Sequence, residues 1–375
     1  MKKVVIAIDS FKGCLSSAEA GKAAAEGIRS VFPECEILSL PIADGGEGML
    51  DVLIMATNGQ EVPISAHDPL MRWRNTYYGI SENGETAFIE MASISGLPLV
   101  PPEKRNPMLT TSYGTGELIR DALERGCRNF IIGIGGSATN DAGLGMLQAL
   151  GFRFSDKEGK EVGTGRGEVL IKVAHIDSTC VHPALNSCRF TVACDVQNPF
   201  YGPEGAAYVF APQKGADREM VEALDAGLQN FAEVIRHTTG KDISHHPGAG
   251  AAGGMGGSLL AFLNAELKPG IQLMLEALDF SNKIKSADLI ITGEGKADRQ
   301  TLMGKVPSGI LAEARKQNIP VILLAGNIED SDELQQAGFE GVFSVNPPFI
   351  SLEEAMRPEV ARKNIQQTVE SICKK

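Results

Sequence analysis

The sequence predicts an α/β protein whose first and last segments share one sheet, with a second α/β domain inserted between them. Short apolar strands alternate with segments of helical spacing in residues 1–65 and again in residues 284–375. The pattern changes in residues 66–283, where short strands and closely spaced prolines begin. At 375 residues two domains are expected, since a single core rarely grows beyond about 250–300 residues.

The first segment contains two β-loop-α units. A strand over residues 2–9 and a second strand over residues 36–40 each lead into a polar loop and then a helix. Ligands of open parallel sheets gather outside the carboxyl ends of the strands, so the charged side chains of the two loops should face one crevice. These side chains are Asp9, Lys12, Asp44 and Glu47.

In the middle segment, residues 130–146 read FIIGIGGSATNDAGLGM, an apolar strand that runs into a glycine turn and then a helix. Glycines leave backbone amides open to a ligand, and a loop at a helix N-terminus favours phosphate. We predict that this loop holds nucleotide phosphates, helped by a third glycine cluster at residues 250–257; a tight turn without a ligand is the alternative. The predicted contacts are Gly133, Gly135, Gly136, Ser137, Thr139, Asn140, Asp141 and Gly254.

The same loop also fits a dinucleotide fingerprint. Gly133, Gly135 and Ala138 satisfy G-x-G-x-x-A after a strand, and Asp156 lies about where an acid would contact a ribose. This leaves hydride chemistry open as an alternative to phosphoryl chemistry.

Composition excludes several classes of protein. The balance of 35 Lys and Arg against 47 Asp and Glu, with no long basic cluster, argues against nucleic acid as a partner. Seven scattered cysteines without C-x-x-C spacing indicate free thiols and favour the cytosol. The apolar run near the N-terminus is too short for a signal peptide, and no stretch is apolar enough to predict a membrane span.

Phosphoryl transfer needs a phosphate cradle, carboxylates for Mg²⁺, cations and often a base, and the glycine loops offer each of these. The carboxylates are Asp9, Asp44, Asp141, Asp195, Glu294 and Asp298, and the cations are Lys12, Arg105, Lys214, Lys296 and Arg299. Any single aspartate of this kind is more often a helix cap. The P-loop pattern, protein-kinase motifs, a histidine zinc site and the G-x-S-x-G elbow are absent; Gly304-Lys305, for example, is followed by Val306.

Seven blocks in order carry a resemblance that covers nearly the whole chain. They are DSFKGCLSS (9–17), PIADGGEGMLD (41–51), GLPLVPPEKRNPMLTTSYGTGELI (96–119), IGIGGSATNDAGLGMLQALG (132–151), CDVQNPFYGPEGAAYVFAPQKGA (194–216), GAGAAGGMGGSLLAFLNAELKPGI (248–271) and ITGEGKADRQTLMGKVP (291–307). The chain closely resembles the bacterial glycerate kinase type 1 family, with small departures at Cys14 and Ala142. The resemblance implies a discontinuous Rossmann-like three-layer domain with a second α/β domain inserted, and transfer of the γ-phosphoryl of ATP to D-glycerate with Mg²⁺, usually at the 2-hydroxyl.

The resulting expectations are a kinase with D-glycerate, ATP and Mg²⁺, in a monomer or homodimer. We assign Asp44, Lys12 and Asp9 to catalysis, with Asp44 as base, and Asp195 to the metal. Substrate contacts are predicted at Lys12, Arg105, Glu47, Lys296 and Asp298. A 3-kinase, a kinase of another small hydroxy acid, an NAD-dependent oxidoreductase and a non-catalytic organic-acid sensor are the alternatives, and which domain holds ATP stays open.

Overall fold

The computed structural model describes residues 1–45 and 48–374. Its strands, in chain order, are β1 (Lys3–Ile8), β2 (Glu36–Ser39), β3 (Gln60–His67), β4 (Trp73–Ile80), β5 (Thr86–Glu90), β6 (Asn129–Gly133), β7 (Arg153–Ser155), β8 (His175–Asp177), β9 (Arg189–Ala193), β10 (Glu266–Lys268), β11 (Leu289–Ala297), β12 (Val321–Ile328) and β13 (Gly341–Ser344).

The α-helices pack around these strands. In chain order they are α1 (Ser17–Val31), α2 (Met49–Ala56), α3 (Ala92–Ser95), α4 (Tyr113–Glu124), α5 (Leu144–Ala149), α6 (Ala206–Phe210), α7 (Arg218–Thr239), α8 (Met255–Phe262), α9 (Gly270–Ala277), α10 (Phe280–Lys283), α11 (Val306–Arg315), α12 (Ser331–Gln336), α13 (Leu352–Ala355) and α14 (Pro358–Cys373). Short 3₁₀ helices lie between them, including residues 299–302.

Strands from both ends of the chain form one parallel sheet in the order β13-β12-β11-β1-β2, which confirms the predicted sharing. β1 is apolar and buried along nearly its whole length, as a central parallel strand requires. The helix α1 begins with a capping box in which Ser16 and Glu19 bind each other's backbone N–H groups. α1 and α14 pack together over this sheet around Ile6, Ile28 and other buried side chains.

The middle of the chain forms a mixed sheet in the order β10-β9-β6-β5-β4-β3. β4 runs antiparallel to both of its neighbours, β3 and β5, whereas β5, β6, β9 and β10 run parallel. Its core is a single large cluster that includes the stacked rings of Phe130 and Phe190. The predicted α/β class is confirmed for both sheets.

The described residues divide into two compact units. The terminal unit comprises Met1–Asp44 and the chain from Ile271 onward, and the inserted unit comprises Gly45–Gly270. These bounds differ from the predicted boundaries at 65/66 and 283/284. Residues 45–65 belong to the inserted unit because β3 pairs with β4 along its full length and α2 packs on the same sheet. Within the described part of the chain, no helix is both long and apolar enough to cross a membrane.

Candidate active site

A cavity of about 310 Å³ lies in the terminal unit. It forms where β1, β11, β12 and β13 end, which is the edge of a parallel sheet where ligands usually bind. The charged and amide side chains that line it are Asp9, Lys12, Asp44, Glu294, Lys296, Lys305, Asn327 and Asn346. The apolar side chains that line it are Phe11, Val345, Leu352, Ala355, Met356 and Ala361.

Asp9 follows β1 directly and is buried. Its backbone N–H donates to the carbonyl of Gly293 at 2.9 Å, which fixes it beside β11. Its Oδ1 accepts a hydrogen bond from the N–H of Ser10 at 2.7 Å. Burial, and next the negative charge of Asp44, raise the pKa of Asp9 from 3.8 to about 7. The first strand therefore ends in a carboxyl group that can gain or lose a proton near neutral pH.

Lys12 lies in a tight turn that the backbones of Phe11 and Leu15 close, and Gly13 supplies the left-handed conformation that this turn needs. Its Nζ lies 3.7 Å from Oδ2 of Asp44. The structure thus brings together Asp9, Lys12 and Asp44, as the pattern of strand ends predicted. The alternative that the two aspartates cap helices is wrong, because the N-cap positions of α1 and α2 are Ser16 and Gly48.

Glu294 and Lys305 form an ion pair in the same cavity, with 3.5 Å between Oε2 and Nζ. The hydroxyl of Thr301 donates to the other carboxylate oxygen at 2.6 Å, and burial raises the pKa of Glu294. Glu294 was among the candidate carboxylates of the glycine loops but was given no role, and Lys305 was not among the candidate cations. The signal was present in TGEGK and in Gly304-Lys305, which fails only as a P-loop motif.

The predicted substrate residues Lys296 and Asp298 differ in position. Lys296 lines the cavity and pairs with Glu329 at 3.0 Å and with Asp298 at 3.5 Å. Asp298 instead caps the 3₁₀ helix 299–302, because its Oδ1 accepts from the N–H of Gln300 at 2.8 Å. Capping of this helix accounts for the position of the Asp298 side chain, and the contact of Asp298 with substrate stays a prediction.

The loop after β6 lies in the inserted unit, and a helix follows it at Leu144 as predicted. Gly135 and Gly136 are exposed, but Thr139, Asn140 and Asp141 are fully buried. The buried ammonium group of Lys214 donates to Oγ of Ser137 at 2.9 Å and to the carbonyl of Thr139 at 2.7 Å. Burial lowers the pKa of Lys214 to about 7.

Asp141 organises the interior behind this loop. One oxygen, Oδ2, accepts from both the N–H and the hydroxyl of Ser112 at 2.8 and 2.7 Å. The side-chain amide of Asn140 and the hydroxyl of Thr139 have no hydrogen-bond partner there. These side chains face the protein interior rather than solvent, so only the exposed backbone of the loop is positioned as the phosphate prediction requires.

Gly254 is likewise surrounded by protein. It has φ +92°, and a Cβ there would lie 2.9 Å from a methyl of Leu228 and 3.0 Å from the ring of Phe200. This packing explains the glycine, and its predicted contact with phosphate stays a prediction.

The remaining assigned residues are placed as follows. Asp195 follows β9 in the inserted unit, and its Oδ1 accepts from the N–H of Gly270 at 2.8 Å. Arg105, in the same unit, donates from Nε to the carbonyl of Val100 at 3.4 Å. Gly133 ends β6. Glu47 lies outside the described residues.

The dinucleotide alternative finds no support in this geometry. A Rossmann fingerprint requires the helix to begin within the glycine motif, whereas α5 begins at Leu144, after a further polar loop. Asp156 forms a turn by accepting from the N–H groups of Glu158 and Lys160.

Comparison with known proteins agrees with the kinase interpretation. The family model described as the glycerate kinase family matches residues 4–375. A glycerate 2-kinase of Escherichia coli K12 is 49% identical over 95% of this chain and 93% of its own length. A glycerate kinase of Bacillus subtilis 168 is 47% identical over 99% and 97%.

Solved structures give the same result. A crystal structure of a candidate glycerate kinase 2 from Salmonella typhimurium LT2 superposes with a TM-score of 0.91 at 45% identity, covering 100% of this chain and 97% of its own. The match extends along both units and includes every strand of the cavity edge. The chain therefore belongs to the glycerate kinase family, and is an enzyme that transfers phosphate from a nucleotide to a small molecule.

Proposed function

We propose that the protein phosphorylates D-glycerate with ATP and Mg²⁺, and that phosphate enters at the 2-hydroxyl to give 2-phosphoglycerate. The observation that carries the proposal is the group of carboxylates and lysines around one cavity at the carboxyl edge of a parallel sheet. Family membership supports D-glycerate as the acceptor, and the E. coli relative's name, glycerate 2-kinase, supports the 2-hydroxyl.

Lys12 has the charge and reach to hold the two substrates together. D-Glycerate and the γ-phosphate are both anions, so a cation between them offsets their repulsion and stabilises charge in the transition state. Its side chain is 66% exposed, and its Nζ lies 3.7 Å from Oδ2 of Asp44. We infer that Asp44 accepts the proton of the attacking hydroxyl. We infer also that Asp9 orients the Lys12–Asp44 ion pair.

Mg²⁺ suits the carboxylate oxygens of the candidate site. Mg²⁺ is usually held by one or two carboxylates together with substrate phosphates and water, so a larger protein cage is not required. The described residues contain no group of three or more His, Cys, Asp or Glu poised to hold a metal. Burial, and next the charge of Asp44, raise the pKa of Asp9, and a bound cation would oppose both effects by favouring the ionised carboxylate. Asp195 stays the predicted ligand. When bound, Mg²⁺ supplies neutralising charge to the phosphates.

The test is a coupled assay of ADP release with D-glycerate, followed by NMR identification of the product. We expect turnover that requires Mg²⁺ and yields 2-phosphoglycerate, and no measurable binding of NAD. A 3-phospho product would contradict the position of transfer, and no consumption of ATP with D-glycerate would contradict the proposed reaction itself.

A further inference from the structure

The cavity of the terminal unit has an apolar side that the proposed chemistry does not use. Val345 follows β13, and Leu352, Ala355 and Met356 come from the short helix α13 and the residue after it. Leu352 is 79% exposed and Met356 is 38% exposed, so much of their apolar surface faces solvent in the cavity rather than the protein core. Exposed apolar surface inside a concave site indicates a ligand with an apolar part.

Two glycines line the same cavity and leave backbone there without a side chain. They are Gly295 on β11 and Gly326 on β12, and a Cβ on Gly326 would lie 2.7 Å from the carbonyl oxygen of Gly295. Asn346 is held beside Gly326, because its Nδ2 donates to the carbonyl of Gly326 at 2.8 Å. Asn364 fixes its other end by donating to Oδ1 at 3.2 Å. The cavity therefore offers bare glycine backbone with a pre-positioned amide beside it.

The same cavity is also lined by three lysines and three carboxylates, namely Lys12, Lys296, Lys305, Asp9, Asp44 and Glu294. One cavity of about 310 Å³ thus contains both exposed apolar side chains and a group of lysines. We propose that the apolar side binds the purine base of the nucleotide, with the polyphosphate directed to the lysines. This inference rests on the proposed kinase function and deepens it, by assigning the base to the terminal unit.

The acceptor does not fit the apolar side. D-Glycerate has three carbons that carry a carboxylate and two hydroxyls, so it has no apolar face to cover Leu352 or Met356. A purine has two, and burying apolar surface stabilises binding by roughly 25 cal/mol per Å². Of the substrates in the proposed reaction, the nucleotide is the one whose chemistry matches both parts of the cavity.

The test changes the apolar side without touching Asp9, Lys12 or Asp44. The double variant Leu352→Gln/Met356→Gln replaces hydrocarbon with polar side chains at the mouth of the cavity. Phe349→Gln is the matched control, because Phe349 is fully exposed in the same segment and does not line the cavity. Titration calorimetry with ADP and with inorganic tripolyphosphate, both with Mg²⁺, separates binding of the base from binding of phosphate.

We expect the Kd for ADP to rise roughly tenfold in the double variant, which corresponds to about 1.4 kcal/mol, and to stay within about twofold in the control. The Kd for tripolyphosphate should not change in either. Unchanged ADP affinity, or equal weakening of ADP and tripolyphosphate, overturns the assignment of the base. If ADP binds with the expected dependence but D-glycerate is not phosphorylated, the base site is supported and the proposed acceptor is wrong.

Discussion

At the scale of single residues, Asp9 combines burial with negative neighbours. Its folded pKa of about 7 lies above the ordinary value of 3.8, so the folded protein binds more protons than the unfolded chain between these values. The free energy of unfolding should therefore fall as pH rises from about 4 to about 7. Asp9 costs stability at neutral pH, as groups at functional sites often do.

Asp9→Asn tests this cost. Without ligands or Mg²⁺, the variant should lack this contribution to the pH dependence and should be more stable than the native protein at pH 8, by on the order of 1 kcal/mol or more. Thermal and urea unfolding at pH 5 and pH 8 would measure it. Asp177→Asn is the control, since Asp177 is exposed and its pKa is lowered by hydrogen bonds from Thr179. An Asp9 variant that is less stable than native at pH 8 would contradict the argument.

The sequence predicted the positions of some site residues but not the burial of others. The strand ends predicted that Asp9, Lys12 and Asp44 would meet, because one edge of a parallel sheet collects them. The burial of Thr139 and Asn140 was not predicted, because polar side chains in a glycine loop resemble exposed ligands. Contacts distant in sequence form this interior: Lys214, for example, donates to the carbonyl of Thr139 from 75 residues away.

At the scale of elements, the third glycine cluster is explained by close packing before α8. Gly253 has φ +67°, and a Cβ there would lie 2.1 Å from the carbonyl of Thr139. The N–H of Ala142 in turn donates to the carbonyl of Gly253 at 3.0 Å. The cluster holds the loop after β6 by backbone contact, so its glycines are required for structure whether or not phosphate binds nearby.

Gly253→Ala and Gly240→Ala form a matched pair. Both glycines have positive φ, but Gly240 follows α7 with nothing within 4 Å of an added Cβ. Gly240→Ala should cost about 1–2 kcal/mol from backbone strain alone. Gly253→Ala should cost at least about 3 kcal/mol, because the clash is with backbone. Urea denaturation measures both, and equal costs would mean that this packing is not present in solution.

The elements were predicted with uneven success. The strand β1, the helix α1 and the apolar strands β11 and β12 follow from apolar runs and helical spacing, and each is present. The pairing order of the terminal sheet was not predictable, since the sequence of an apolar strand does not specify which strand lies beside it. The start of the inserted unit was misplaced because pairing of β3 with β4 decides it, and composition does not report pairing.

At the scale of the whole molecule, the chain is divided unequally. The inserted unit is continuous from Gly45 to Gly270 and has its own large core. The terminal unit needs both ends of the chain, because β1 pairs with β11 across more than 280 residues of sequence.

Residues 45–270 expressed alone should therefore unfold cooperatively in urea. Residues 271–375 alone should not, since β1 and β2 would be missing from the sheet. A non-cooperative transition for residues 45–270 would contradict the division into units.

The central claim is that the carboxylates and lysines at the edge of the terminal sheet carry out phosphoryl transfer. The most direct measurement is the kcat of Asp44→Asn with saturating Mg²⁺, ATP and D-glycerate. Asp217→Asn is its control, because Asp217 caps α7 in the inserted unit and does not line the cavity, and Asn caps about as well. We predict that kcat falls by roughly 10² or more in Asp44→Asn, with an unchanged unfolding temperature, and that Asp217→Asn stays near the native rate. A kcat for Asp44→Asn within about twofold of native would contradict the claim.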